Sequence, residues 1–316
     1  MSWCCCLCCG RSEKGVGDLD KNVLKGVVDT HIHTGPEPYR QRKFNDDELA
    51  KDACAVGARA IVIKSHVFET ASRANLMNGR YPELKTFGGI TLNEWMGGFN
   101  VNAVDAMFQV GGKFVWLPTL SSRYERELLG GQGGISCLDE QENVVSELVD
   151  ILKLIAEADG ILATGHVSYL EKKRVVEKAK EVGVNRIIIN HPELYRTRLT
   201  IEQQKELLLY GVYFERNYCG TERPLNPRWI KHMPLALENI RVLGAESTIL
   251  GTDVGLMNSP IWSEAYLECM NYLADHGISQ SELDLMTKVN GAKILGLEND
   301  GLQEKRKRGV RRDERG

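Results

Sequence analysis

From residue 27 onward, short β-branched runs alternate with longer stretches that repeat every three to four positions. Val27 and Val28 begin a strand whose far end turns polar, Asp29-Thr30-His31-Ile32-His33-Thr34-Gly35. Residues 45–56 read as a helix, acidic at the start, with Leu49, Ala53 and Val56 on one face. The pattern then recurs. Strand runs at 59–66, 86–92, 114–117, 161–166, 186–191, 212–215 and 248–253 are followed by helical stretches at 69–78, 101–110, 142–158, 169–182, 201–209, 235–243 and 262–274. A last helix is expected over 281–295. Pro192 should hold His191 extended and end its strand. Eight strand-then-helix units in roughly 270 residues predict a single-domain α/β fold of the (β/α)8 TIM-like barrel type, with active residues at the carboxyl ends of the strands. A doubly wound open sheet is the alternative, but no glycine-rich phosphate turn follows the first strand.

Polar chemistry collects at those strand ends. Alternation along a strand puts His31 and His33 on one side, with Asp29 behind them, placed to orient a ring. Two imidazoles one pleat apart are ready ligands for a borderline cation such as Zn²⁺, though a polar strand end whose histidines only hydrogen-bond would look the same. Of seven histidines, five (His31, His33, His66, His166, His191) close strand runs, and Asp253 closes the eighth. Barrel closure would bring those mouths together, which favours a metal site. Lys64 shares a face with His66 at the second mouth. The exit of the fourth strand, residues 119–141, is long and rich in glycine, and is a lid candidate.

The pattern Asp29-x-His31-x-His33, His166, His191 and Asp253 on strands one, five, six and eight resembles the amidohydrolase superfamily, as does the ending Val289-Asn290-Gly291-Ala292-Lys293-Ile294-Leu295-Gly296-Leu297. The resemblance spans residues 27–297. It implies a hydrolase using a divalent metal, most simply Zn²⁺, with one or two ions. Its ligands would be His31, His33 and Asp253 for a first ion, with His166 and His191 on a second ion or on the substrate. Asp253 would pass a proton from the attacking water to the leaving group, with His191 and Lys64 completing the catalytic set and His66 touching the substrate. The chain departs from two-metal members on strand four, where Phe114-Val115-Trp116-Leu117-Pro118 offers no lysine to bridge the ions. Lys64, carboxylated or cationic, is the nearest replacement, and Glu94 a second. The scissile bond would be an amide, a lactone or another ester. Arg123 is the leading contact for an anionic substrate group, with Arg126, Arg216 and Arg223 behind it. Two other functions fit the opening motif: a phosphoesterase of the polymerase and histidinol phosphatase type, and a non-catalytic metal-binding scaffold.

Composition adds little to the core but marks the ends. With 316 residues, 42% hydrophobic, and a net charge of −3, the chain has ample material for one core, and its charge balance does not suggest nucleic acid as a partner. A small molecule is the expected partner; oligomeric state is not legible. Of nine cysteines, five lie in the first nine residues and the rest are scattered, which is no disulfide framework and points to a reducing, cytoplasmic setting. Residues 1–20 thus form a cysteine-rich segment open to three readings: S-acylation and peripheral membrane attachment, adventitious metal binding, or no role. The barrel would occupy 21–300. Residues 301–316 form a basic tail, expected to be disordered: residues 304–316 carry a net +4, which leaves −7 for the rest.

Overall fold

A computed structural model describes residues 19–218 and 233–297. Most of the cysteine-rich segment, the basic tail and Arg223 lie outside these residues. The strands are β1 (Val28–His33), β2 (Ala60–Lys64), β3 (Lys85–Phe87), β4 (Gly89–Thr91), β5 (Phe114–Trp116), β6 (Ile161–Ala163), β7 (Arg186–Asn190), β8 (Tyr213–Asn217) and β9 (Thr248–Gly251). All pairings are parallel, β1-β2-β3 in one run and β4 through β9 in another. The expected third strand, 86–92, is thus two short pieces meeting at Gly88. The physical reason is close backbone approach: a Cβ on Gly88 would stand 2.3 Å from the Thr70 carbonyl oxygen, and one on Gly89 2.0 Å from that of Phe114.

Eight parallel staves result, and the first meets the last. Asp253 N–H donates to the His31 carbonyl (2.8 Å) and His33 N–H to that of Val254 (2.9 Å). The fold is the expected TIM-like barrel. Val28, Val62, Phe114, Trp116, Ala163, Ile188 and Ile249 fill its interior. The closing helical segment, from α10 (Gln280–Asp284) through a π turn to α11 (Asn290–Leu295), adds Ala292, Ile294 and Leu295 to that cluster.

Outside the strands lie α1 (Asp46–Ala55), α2 (Ala71–Arg80), α3 (Val101–Gln109), α4 (Arg123–Leu128), α5 (Ser146–Glu157), α6 (Tyr169–Glu181), α7 (Ile201–Leu208), α8 (Met233–Leu243) and α9 (Trp262–Asp275). Reciprocal capping boxes at Asn45/Glu48, Ser168/Glu171 and Thr200/Gln203 fix where three of them start. Helix α5 begins later than residue 142, because the Asp139 carboxylate accepts from the Gln141 and Asn143 amides and holds a turn in which Glu142 sits at φ 61°. Among the described residues, no helix is long and apolar enough to cross a membrane.

Candidate metal centre

Local backbone geometry aims the polar residues inward. Strand β1 carries one extra residue between Asp29 and Ile32 relative to β2. Val28 therefore packs in the barrel interior and Ile32 in the outer layer with Leu250 and Trp262. At the ends of β6, β7 and β9 the chain turns through left-handed residues, Gly165 (φ 52°), His191 (φ 50°) and Asp253 (φ 51°). Such conformations persist outside glycine only where the surroundings hold them, and they gather at functional sites. His191 is thus not extended before Pro192. Its carbonyl is drawn into the following turn by the Leu194 amide (3.0 Å) and the Thr197 hydroxyl (2.7 Å).

His31 Nε2 lies 3.3 Å and His33 Nε2 3.2 Å from Asp253 Oδ1, which makes one cluster of three potential ligand atoms. The rings of His66 and His33 stack at 4.7 Å, and His191 lies 5.0 Å from His31 and 5.4 Å from His166. These five histidines, Lys64 and Asp253 face one cleft. Expulsion of water lowers the pKa of every one of these imidazoles, and Lys64 pushes the same way. Neutral rings offer lone pairs. Burial brings Lys64 down to about 8 against the pull of Asp253 and Glu215, and it raises Asp253 to about 7 against the pull of Lys64.

Two carboxylates decide which nitrogens are free. Glu215 Oε2 lies 2.7 Å from His31 Nδ1, and Glu215 also accepts from Thr30 Oγ1 (2.5 Å) and Asn190 Nδ2 (2.6 Å). An acceptor so supplied fixes the proton of His31 on Nδ1 and leaves a bare Nε2 lone pair facing the Asp253 oxygen. Two lone pairs at 3.3 Å call for a cation. Lys64 Nζ, 3.1 Å from His31 Nε2, supplies one from one side. His33 Nδ1 is buried with no hydrogen-bond partner. Glu125, on α4, holds His166 Nδ1 at 2.5 Å and pairs with Arg196. The donor set fits a divalent metal with imidazole and carboxylate ligands.

Other residues fall elsewhere. Asp29 does not orient a ring: its carboxylate accepts from the His31 amide (3.0 Å), Thr252 Oγ1 (2.6 Å) and Trp262 Nε1 (2.8 Å), tying β1 to β9 and α9. The bulge explains this by turning Asp29 away from His31. Arg123 is exposed on α4, outside the residues that line the cleft; Arg40, Arg42 and Arg196 line it instead. Arg216 is buried against Glu193 and Gln204, and Glu94 pairs with Arg126 toward solvent. Trp116 occupies the fourth stave, with Lys64 Nζ 5.3 Å from its ring centre. Glu215 and Glu125 are the residues that sequence reasoning missed.

The same architecture occurs in solved enzymes. A Pseudomonas putida protein assigned as a 2-pyrone-4,6-dicarboxylic acid hydrolase is 16% identical, with a TM-score of 0.58 over 86% of this chain and 98% of its own. A Pseudomonas aeruginosa protein assigned as the dipeptidase PvdM is 7% identical, with a TM-score of 0.64 over 87% of this chain and 96% of its own. The organophosphorus hydrolase of Deinococcus radiodurans is 13% identical, with a TM-score of 0.55 over 86% and 93%. These neighbours share the parallel α/β barrel fold of this chain. No curated protein sequence matches it. Residues 26–215 match the model described as Family of unknown function (DUF6282), and the chain belongs to that family.

Proposed function

We propose that this protein is a metal-dependent hydrolase that cleaves an amide, lactone or other ester bond in a small anionic substrate. One observation carries the reading: the bare Nε2 of His31 and the Nε2 of His33 both point at Asp253 Oδ1, within 3.3 Å, at the mouth of a barrel. His31, His33 and Asp253 would hold a first divalent ion, Zn²⁺ by preference for this nitrogen and oxygen set. His166 and His191 would hold a second ion or the substrate. When bound, the cation lowers the pKa of a water from about 15.7 toward about 7. Asp253 would take a proton from the attacking water and return it to the leaving group. Glu215 and Glu125 keep the protons of His31 and His166 on the far ring nitrogens. Arg40, Arg42 and Arg196 line the cleft and offer guanidinium donors to an anionic group, with Arg42 paired to Glu37 and Arg196 to Glu125. The activities for which these neighbours are named, on a pyrone dicarboxylate, a dipeptide and organophosphorus compounds, support hydrolysis and leave the substrate open.

The test is elemental analysis followed by turnover on a panel of lactones, amides and phosphate esters. Purified protein should contain zinc or a similar ion, and changing His31 and His33 together to Ala should remove it. Asp253→Asn, reloaded with metal, should lose at least about a hundredfold in kcat. Undiminished metal in the double variant, or near-normal turnover in a metal-replete Asp253→Asn, would sink the assignment.

A further inference from the structure

The loops that leave β1 and β4 bring two exposed aromatic rings together at the rim. Tyr39 and Trp95 lie with centroids 5.4 Å apart and planes tilted by 38°. They are 71% and 43% exposed, although burial of such surface is normally strongly favoured. A depression lined by Tyr39, Trp95, Val67 and Leu120 shares Arg40, Arg42, His66 and Leu120 with the metal cleft, so the two adjoin.

Charge limits what such a platform can hold. Aromatic faces also attract cations, but a cation here would approach Arg40, and Arg42 and Glu37 offset one another as an ion pair. Among the described residues, the one carboxylate lining the depression, Glu37, is already engaged by Arg42, Ser65 Oγ (3.1 Å) and the His66 amide (3.0 Å). An uncharged flat ring carrying an anionic group at its other end matches both halves of the surface. We propose that the Tyr39–Trp95 pair is the specificity subsite of this cleft, seating the aromatic or conjugated ring of a substrate whose anionic end reaches the metal centre. The proposal rests on the hydrolase reading for the scissile bond, but binding alone can test it.

The probes are paired carboxylic acids of equal charge and chain length: phenylacetate with cyclohexylacetate, and 3-phenylpropionate with 3-cyclohexylpropionate. Affinities are measured by calorimetry on the zinc-loaded full chain. A generic greasy patch would favour the puckered rings, which are the more apolar. A stacking platform should bind at least one flat ring about three- to tenfold more tightly than its partner. The Tyr39→Ala/Trp95→Ala variant, with metal content unchanged, should lose that preference while its cyclohexyl affinities stay within about twofold. Equal affinities in the parent overturn the proposal. So does a preference that survives in the double variant, or an equal loss for both acids, which would make the pair a brace for the rim. Absence of turnover on every ester and amide, with the ring preference intact, would end the hydrolase reading and leave the subsite standing.

Discussion

A cation between Asp253 and the two imidazoles needs the ionised carboxylate, and burial has raised that carboxyl from 3.8 to about 7. Protons therefore compete with the metal below about pH 7, and the sign is unambiguous: more acid, weaker binding. Zinc affinity of the metal-free protein should fall about tenfold per pH unit below that point, with a proton released per ion bound. Calorimetry in two buffers measures both, and a flat affinity across that range would remove Asp253 from the ligand set. Lys64 poses a different question. Lys64→Ala supplied with acetate or propionate discriminates its two forms, since a small carboxylate replaces a carbamate but not an ammonium group. The carboxylates of Asp253 and Glu215 favour the charged form of Lys64, so no rescue is expected; recovery of metal loading and activity would establish a bridged two-metal site. Residues on the strand-end pattern, from His31 to Asp253, were legible because strand alternation is local. Glu215 meets His31 across 184 positions, a pairing that only the register of β8 on β9, and the closure of the barrel that sets the end of β9 against β1, create. Yet it closes an apolar run, Val212-Tyr213-Phe214-Glu215, just as the histidines do, so a signal was there.

Elements act here mainly through how they end. Gly165 turns the chain out of β6 at φ 52°, and a Cβ there would stand 2.3 Å from the Leu117 carbonyl oxygen. Gly165→Ala should cost about 2 kcal/mol or more in urea unfolding, because both conformation and space oppose the methyl group. A change under about 0.5 kcal/mol would mean that the turn relaxes freely. The long exit of the fourth strand, read as a lid, contains α4, and α4 delivers Glu125 to His166 at 2.5 Å. Glu125→Gln should weaken metal binding about 10- to 100-fold if His166 is a ligand, as loss of an outer partner generally does. Unchanged affinity for every bound ion would assign His166 to the substrate instead. Helix starts were readable wherever a capping box preceded them. The broken third strand and the late start of α5 were not, since each depends on a backbone contact or turn that periodicity does not encode.

At the scale of the molecule, alternation of strand and helix over eight units was enough to indicate a barrel, but not where its seam would lie. If His31, His33 and Asp253 hold the ion, ligands on the first and last staves would make it a clamp across that seam. An ion present at a hundred times its Kd should add about 2.7 kcal/mol to stability. A rise in Tm of about 5–10 °C over chelator-treated protein is expected in calorimetry, and an unchanged Tm in protein shown to hold the ion would mean that the ion does not join the two staves. The seam has a consequence for synthesis. His31 and His33 leave the ribosome with the free edge of β1 before Asp253, which follows more than two hundred residues later. Until it does, no polypeptide covers that edge through the bonds from Asp253 and Val254, and the three donors do not coexist. A nascent chain can display a pair of imidazoles but not the complete cage, so on the proposed ligand set metal capture would belong to the last moments of biosynthesis, when the barrel already has all its staves.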